Sequence, residues 1–216
     1  MSPAMENNLD MPLRDVLPNI QRRIMEETTY FGIPTLQSPT DFWIYQEILF
    51  DMKPDYIIEI GNYCGGSALA LAHLLDQIGH GEIIGIDIDS SRIHATARAH
   101  PRIRFIEGDA CSKFDEVRQI IGDGKRTLII EDSSHTKQNT LNILRQYSVF
   151  VQPGDHMIIE DSICYHGLDI GPNPGPYEAI AEFVAENDAF EIDRSKEGFL
   201  ITWNPTGYLR RKPARA

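Results

Sequence analysis

Short runs of isoleucine and leucine recur along the chain and alternate with segments of helical periodicity. The apolar runs are nearly continuous, which is typical of strands that are buried on both faces of a parallel sheet. Strands are predicted at residues 56–60, 82–87, 103–107, 127–132 and 156–161. Helices are predicted between them, at residues 67–78, 91–100, 114–121 and 139–150.

This alternation predicts a doubly wound α/β fold with a Rossmann-like, mainly parallel sheet of seven strands. Two further apolar runs, FEID (190–193) and FLITW (199–203), lie close together across RSKEG. We expect them to form an antiparallel pair that closes one edge of the sheet. In doubly wound folds, ligands bind beyond the carboxyl ends of the strands. Functional residues are therefore expected at the strand ends.

The N-terminal part of the chain is predicted to lie outside the main domain. Residues 1–40 are interpreted as a helical appendage and residues 41–216 as the main domain. Ile20, Ile24 and the pair Tyr30/Phe31 suggest a short amphipathic helix that packs on the domain or on a neighbouring subunit. Asp41 is expected to cap the next helix.

Composition narrows the classes of function. The chain has 216 residues, of which 20 are Lys or Arg and 32 are Asp or Glu, and its formal net charge is −12. A nucleic-acid partner is not expected, because that affinity comes largely from basic side chains. No apolar run approaches the roughly 20 residues that span a bilayer, so no membrane partner is expected. The first residues lack a secretory signal pattern, and we expect a cytoplasmic protein.

The three cysteines have neither an even count nor the spacing of metal ligands. They are expected to be reduced thiols, and a cysteine-rich zinc site is excluded.

The first predicted strand runs into a glycine-rich turn in the sequence IIEIGNYCGGSALALA. Glu59 ends the strand, and the glycines at 61, 65 and 66 let the backbone approach a ligand closely. Ser67 is placed to cap the helix that follows. The spacing differs from the G-x-G-x-x-G of dinucleotide-binding proteins, and Glu59 would repel a pyrophosphate. A ligand with an ammonium or sulfonium group fits better, although an ordinary βα turn is the alternative.

Acidic residues also follow the second and third strands. Asp87 is placed to accept hydrogen bonds from both ribose hydroxyls of a nucleoside, with Asp89 as the less favoured candidate. Asp109 is placed to accept from an adenine amino group, while the backbone of Ala110 and Cys111 covers the ring. Each acid alone is more often a solvated loop residue. Three in succession describe a pocket for a cationic adenosine derivative, S-adenosylmethionine.

The pentapeptide IIEDS occurs at residues 129–133 and again at 158–162. The fourth strand therefore ends at Asp132 and the fifth at Glu160 and Asp161. Because parallel strands end at one edge of a sheet, these carboxylates are expected to converge and repel each other. A hard divalent cation such as Mg²⁺, Mn²⁺ or Ca²⁺ would remove that repulsion.

Two features of this region keep alternatives open. His135 lies three residues after Asp132, and an imidazole there is either a ligand or a general base. Glu160 and Asp161 would, in the simpler interpretation, only cap the following turn. Glu131 alternates with Asp132 along the strand and is expected to face away from the site.

A long loop rich in glycine and proline, CYHGLDIGPNPGPYEAI, follows the acid pair. Loops of this length beside a site often form lids or substrate walls. Tyr165 and His166 are predicted to contact the substrate.

With these residues identified, the chain resembles the cephalosporin hydroxylase-type and rhamnosyl O-methyltransferase family. That family is similar to class I S-adenosylmethionine-dependent O-methyltransferases, including macrolide-sugar methyltransferases. The resemblance covers roughly residues 30 to 210. It is carried by the motifs FGIPTLQSPTDFWIYQEIL, IIEIGNYCGGSALALA, IIGIDID, IEGDA, IIEDSSHT, the second IIEDS, GPNPGPYEAI and FLITWNPTGYL.

The resemblance implies a Mg²⁺-dependent O-methyltransferase that acts on a hydroxyl of a sugar, a natural-product glycoside or a catechol-like acceptor. It places cofactor binding at Glu59, Gly61, Asp87 and Asp109, to which the neighbouring residues Tyr63, Gly65, Ser67 and Ala110 are added. It places metal ligands at Asp132, Glu160 and Asp161, and catalysis at His135 together with Asp132.

The resemblance also implies a homo-oligomer. The chain is shorter than the macrolide enzymes, and we expect it to lack their added N-terminal domain. The loop around 165–175 departs from the family pattern, which leaves the acceptor undetermined.

Two rival functions follow from the same strand ends. A nicotinamide-dependent oxidoreductase is disfavoured by the absence of G-x-G-x-x-G. A non-catalytic protein that binds S-adenosylmethionine or a metal would be expected to have a damaged set of metal ligands, and the set here is intact.

Overall fold

The computed structural model of the protein describes residues 4–213. A two-stranded hairpin is formed by β1 (Thr29–Tyr30) and β2 (Ile33–Pro34). The main sheet consists of β3 (Tyr56–Ile60), β4 (Glu82–Asp87), β5 (Ile103–Glu107), β6 (Thr127–Glu131), β7 (His156–Ile159), β8 (Phe190–Ile192) and β9 (Tyr208–Arg211). The helices are α1 (Leu13–Glu27), α2 (Pro39–Met52), α3 (Gly66–Ile78), α4 (Ala95–Arg98), α5 (Ala110–Ile121), α6 (Lys137–Tyr147) and α7 (Pro176–Glu186).

The strand order of the main sheet is β5-β4-β3-β6-β7-β9-β8. Strands β3 to β7 are parallel, and β9 is antiparallel to both β7 and β8. Among the parallel strands, chain order runs outward from β3 to β5 on one side and from β6 to β7 on the other, so the connections change side between β3 and β6. The predicted fold class is confirmed, and the carboxyl ends of β3, β4, β6 and β7 meet at one edge.

The core lies on both faces of this sheet because successive strand residues point to opposite sides. On one face, Ile58 and Ile60 of β3 pack with apolar residues of α5, α6 and α7. On the other face, Ile57 packs with apolar residues of α2 and α3. Each buried isoleucine or leucine contributes roughly 1.5–3 kcal/mol. The unbroken isoleucine runs of the sequence are thus explained by burial on two sides.

The antiparallel edge differs from the prediction in one strand. Residues 199–203 do not form a strand, and the partner of β8 is β9, which lies between β8 and β7. Tyr208 and Leu209 of β9 are completely buried in the core, whereas Phe199 and Leu200 are exposed. The apolar run FLITW is a loop instead, because its end is fixed by a hydrogen bond from the Trp203 main-chain N–H to the Asp41 carboxylate (2.8 Å).

Asp41 is therefore not the cap of α2, as the sequence had suggested. Ser38 occupies the N-cap position and accepts from the main-chain N–H of Asp41. The Asp41 side chain is buried and also accepts from the hydroxyl groups of Tyr208 (2.7 Å) and Thr202.

Helix α1 packs against the main domain on the side of β7. Its residues Leu17 and Ile24 are buried with Ile163, Leu168 and Trp203. Tyr30, which the sequence had grouped with this helix, belongs to the β1–β2 hairpin. None of the helices within residues 4–213 is long and apolar enough to cross a bilayer.

Candidate active site

A cavity of about 980 Å³ opens above the carboxyl ends of the central strands. One part is formed by the loops after β3, β4 and β5, and the other by the loops after β6 and β7 together with α1. Predicted site residues line both parts of the cavity. Those after β3, β4 and β5 are Gly61, Tyr63, Ser67, Asp87, Asp109 and Ala110, and Asp132 follows β6. His135 and Asp161 complete the lining from the predicted set.

The turn after β3 depends on Gly61. Its φ is +90°, and a Cβ at this position would collide with the main-chain carbonyl oxygen of Asp132. The turn after β3 can therefore lie directly against the end of β6. The carboxylate of Asp87 holds the same turn, since it accepts from the main-chain N–H groups of Asn62 (2.7 Å) and Tyr63 (3.1 Å). Asp87 is thereby oriented toward the cavity before any ligand binds.

Glu59 occupies a different place from the one expected for a cofactor ligand. Its side chain is buried, does not line the cavity, and accepts hydrogen bonds from Asn62 Nδ2 (2.7 Å) and from Ser67. Burial raises the pKa of Glu59 from 4.5 to about 7. Glu59 therefore stabilises the turn through these hydrogen bonds. Its buried position does not support a direct contact with the cofactor.

Two smaller expectations about the same turn are corrected. Gly65, with φ +79°, occupies the N-cap position of α3, so Ser67 lies within the helix and does not cap it. Gly65 itself does not line the cavity, and a Cβ there would contact Ala97 and Ile93. Its glycine is required by the left-handed backbone of the turn.

Asp109 is the N-cap of α5, a helix that begins four residues before the predicted start at 114. Its Oδ1 accepts from the main-chain N–H of Ser112 (2.9 Å) and from the Ser112 hydroxyl (2.9 Å). Asp109 and Ala110 thus present the start of a helix to the same part of the cavity as Asp87.

The second part of the cavity holds a cluster of three ionisable side chains. One ligand atom each from Asp132, His135 and Asp161 lies within 4.8 Å of the others. His135 Nε2 is 3.4 Å from Asp161 Oδ2 and 3.8 Å from Asp132 Oδ1. His135 and Asp161 both have left-handed backbones, with φ of 55° and 54°. Such conformations cost of order 1–3 kcal/mol each and concentrate at functional sites.

The electrostatics of this cluster are those of a cation site. Burial and the charges of Glu160 and Asp161 raise the pKa of Asp132 well above its usual range. Burial also raises the pKa of Asp161, against the effect of His135. His135 Nδ1 is buried and has no hydrogen-bond partner among the described residues. The donor set of two carboxylates and an imidazole fits a divalent cation, which would neutralise the repulsion between the acids.

Glu160 is not brought into this cluster. Its carboxylate is buried on the side of α2, where it accepts from Gln37 Nε2 (3.2 Å) and from the hydroxyl of Tyr45. Burial, with the charge of Asp161 next in effect, raises the pKa of Glu160 well above its usual range. Asp161 has a left-handed backbone and lines the cavity, whereas Glu160 does not line it. In the described structure Glu160 is a neighbour of the cluster and not one of its ligand groups.

Glu131 faces away from the cavity, as the alternation along β6 predicted. It is completely buried and accepts from the Ser133 hydroxyl. Burial raises its pKa.

Tyr165 and His166 do not line the cavity, contrary to their predicted contact with the substrate. His166 Nε2 is 2.7 Å from Glu178 Oε1, and its ring stacks on Tyr177 with the centroids 3.6 Å apart. These contacts tie the start of the loop to α7. The loop residues that reach the cavity are Cys164, Ile170 and Gly171.

The sequence did not identify the wall that α1 and the segment after β2 contribute. Its members are Gln21, Ile24, Met25, Thr35, Leu36, Gln37 and, from the loop before β9, Trp203. The amphipathic pattern of α1 was visible in the sequence, but the pattern cannot say which part of the domain the helix covers.

A family model described as rhamnosyl O-methyltransferase/CmcI matches residues 22–212. The rhamnosyl O-methyltransferase of Mycobacterium tuberculosis is 32% identical over 197 residues, which cover 87% of this chain and 80% of the relative. The rhamnosyl O-methyltransferase of Mycobacterium leprae is 33% identical over 198 residues, which cover 88% of this chain and 85% of the relative.

Solved structures agree with this assignment. A CmcI structure described as containing Mg and SAM has a TM-score of 0.67 at 26% identity, covering 85% of this chain and 76% of that one. An O-methyltransferase from Bacillus cereus in complex with SAH has a TM-score of 0.58 at 18% identity, covering 86% of both chains, and shows a shared fold.

The family match extends over most of the chain and includes every strand of the main sheet. The chain therefore belongs to the rhamnosyl O-methyltransferase/CmcI family and is an S-adenosylmethionine-dependent O-methyltransferase.

Proposed function

We propose that the protein moves a methyl group from S-adenosylmethionine to a hydroxyl oxygen of a small acceptor, with Mg²⁺ or another hard divalent cation as a second cofactor. One observation carries the proposal. The carboxylate–imidazole cluster of Asp132, His135 and Asp161 lines the same cavity as the nucleoside-side residues Asp87 and Asp109. A donor and an acceptor held in this cavity would therefore meet beside the cluster.

The acceptor is proposed to carry its hydroxyl on a sugar, as in a natural-product glycoside. The names of the mycobacterial relatives support a sugar acceptor, since they describe rhamnosyl O-methyltransferases. A catechol-like acceptor has the same adjacent oxygens and is the next candidate.

The nucleoside side of the cavity would hold S-adenosylmethionine. The main chain at Gly61 leaves room for close approach, and Asp87 and Asp109 offer carboxylates to the hydroxyl and amino donors of a nucleoside. Tyr63, Ser67 and Ala110 line the same region. Glu59 contributes by holding the turn in place.

The cluster would hold the divalent cation through Asp132 and Asp161. When bound, S-adenosylmethionine supplies the methyl group and the cation lowers the pKa of the acceptor hydroxyl. His135 Nε2 faces both carboxylates, and it is placed either to take the hydroxyl proton or to complete the ligand set. The cavity contributes mainly by holding the two reactants in one orientation.

Replacement of the cluster residues tests this proposal. We expect His135→Ala to lower turnover by roughly 10²–10⁴-fold, the usual contribution of a general base, with little change in the affinity for S-adenosylhomocysteine. Asp161→Asn should remove both activity and the response to Mg²⁺. Turnover would be measured by mass spectrometry with p-nitrophenyl α-L-rhamnopyranoside and catechol as acceptors, and affinity by calorimetry.

His80→Ala is the matched control, because His80 is a surface histidine that pairs with Asp55. It should leave all three measurements unchanged. Full methylation by both cluster variants would contradict the proposal. The Mg²⁺ affinity of His135→Ala separates the two roles, since a base can be removed without weakening the metal site and a ligand cannot.

We further propose a homo-oligomeric, cytoplasmic enzyme in which residues 1–40 are an appendage to the domain of residues 41–216. Trp43 and Phe50 support an intersubunit contact, because they lie on one outer face of α2 and are 58% and 65% exposed. Sedimentation of the wild type and of Trp43→Ser/Phe50→Ser tests the oligomer. A monomeric wild type would contradict it.

A further inference from the structure

We infer that Gln21 of α1 is a specificity-determining residue that donates a hydrogen bond to the non-reacting part of an uncharged acceptor, and that Trp203 positions it. This inference rests on the proposed function, because it concerns the acceptor end of the same cavity.

The position of α1 supports the inference. Ile24 of α1 is buried with Ile163 and Trp203, and Ile163 follows the cluster residue Asp161 by two positions. The strand order places β4 and β5, which carry Asp87 and lead to Asp109, on the opposite side of β3 from β6 and β7. Since the nucleoside occupies the β4–β5 side, the wall formed by α1 is left for the acceptor.

The hydrogen bonding of Gln21 leaves one group available. Trp203 is buried, and its indole Nε1–H donates to Gln21 Oε1. A buried indole N–H requires such a partner, so the amide oxygen of Gln21 is occupied and the orientation of the amide is fixed. Within residues 4–213 the NH₂ group of Gln21 makes no hydrogen bond to protein. It is a donor on a cavity wall and suits a hydroxyl or ether oxygen of the acceptor.

The charge of the same wall defines the class of acceptor. Its members Gln21, Ile24, Met25, Thr35, Leu36, Gln37 and Trp203 are all uncharged. Arg92, a basic residue of the cavity lining, lies near Tyr63 on the nucleoside side, 5.8 Å from the centre of that ring. A phosphate on the acceptor would require charged donors for tight binding, and this wall offers an amide.

The acceptor is therefore a neutral polyhydroxylated molecule with an apolar part. The apolar part would pack on Ile24 and Leu36, while an oxygen accepts from Gln21. A phosphorylated sugar or a coenzyme A thioester would leave its charge unpaired at this wall.

The test compares Gln21→Ala with Arg22→Ala in the full-length protein. Arg22 is the next residue on α1, is exposed and does not line the cavity. For p-nitrophenyl α-L-rhamnopyranoside, Gln21→Ala should raise KM about fivefold, the usual effect of one lost hydrogen bond. Its kcat and its affinity for S-adenosylhomocysteine should stay within about twofold of the wild type. Arg22→Ala should change none of these.

Trp203→Phe tests the positioning role, since it keeps the ring and removes the indole N–H. It should raise KM in the same direction with kcat retained. Rhamnose 1-phosphate tests the charge argument, and the wild type should use it at least tenfold less efficiently than the neutral glycoside. An unchanged KM in Gln21→Ala, or equal use of the two acceptors, would overturn the inference.

Binding of the neutral glycoside, measured by saturation-transfer NMR on protein loaded with S-adenosylhomocysteine, separates this inference from the proposed function. If the wild type binds the glycoside without methylating it, the proposed reaction fails, and weaker binding by Gln21→Ala still supports the role of Gln21. If methyl transfer to catechol proceeds but the glycoside does not bind, the proposed function stands and the inference is wrong.

Discussion

The acidic residues at the strand ends differ in whether their carboxylates face the cavity. Those that face it are candidate metal ligands, and those that do not are buried structural groups. The side chains of Asp132 and Asp161 are 28% and 35% exposed and line the cavity. Glu59, Glu131 and Glu160 are buried beside it. The sequence could identify strand-end acids, because the apolar runs stop there. It could not tell which oxygens face the cavity, since this depends on the side of the sheet to which each residue points.

The buried carboxyl group of Glu59 should make the stability of the protein depend on pH. Its pKa in the folded protein is about 7, above the ordinary 4.5, so the folded state holds a proton that the unfolded chain releases between these values. Stability should therefore fall as the pH rises from about 4.5 to 7, by roughly 3 kcal/mol in all for this group. Glu59→Gln should flatten that part of the profile, measured by urea unfolding from pH 4.5 to 8. A Gln variant with the wild-type slope would contradict this account of Glu59.

At the scale of elements, the sequence predicted the parts that have their own pattern. Each parallel strand is a continuous apolar run, and its burial on both faces leaves little freedom to place it elsewhere. The edge strand β9 was missed because its four residues, Tyr208–Arg211, end in two arginines. The pairing of β9 with β7 depends on a free sheet edge, which no local pattern records. The place of α1 on the cavity is a tertiary contact of the same kind.

The turn between β3 and α3 depends on the close approach of Gly61 to the main chain of Asp132. Gly61→Ala should be more destabilising than Gly79→Ala, although both glycines have left-handed backbones, with φ of +90° and +77°. A Cβ at Gly79 has open space, so that variant should cost only about 1–2 kcal/mol of backbone strain. A Cβ at Gly61 meets the main chain at Asp132, so β3 and β6 must move apart. Denaturant midpoints and binding of S-adenosylhomocysteine would be compared, and equal losses would contradict the proposed contact.

Across the whole chain the net charge is −12, and at the edge of the cavity burial, followed by the charges of neighbouring acids, raises the pKa of Asp132 and Glu160. His135 acts against the rise in the pKa of Asp161, and the hydrogen bond from Ser133, followed by His135, acts against the rise in the pKa of Glu131. The left-handed backbones at His135 and Asp161 add strain in the same place. The free protein thus stores unfavourable energy at the site where a cation would bind. Stability and activity are expected to oppose each other here.

Asp161→Asn makes that opposition measurable. Asparagine keeps the shape of the side chain and tolerates the left-handed backbone, but it removes a charge that raises the pKa of Asp132 and Glu160. At pH 8 without metal, the variant should therefore melt higher than the wild type, by about 2–4 °C for each kcal/mol of repulsion relieved. Added Mg²⁺ should stabilise the wild type, by about 2.7 kcal/mol at a hundredfold excess over Kd, and should leave the variant unchanged.

Asp123→Asn, at an exposed acid in the loop before β6, is the control and should keep the full Mg²⁺ response. If Asp161→Asn melted lower without metal, the carboxylates would not be repelling each other, and the physical reason for placing a cation between them would be lost.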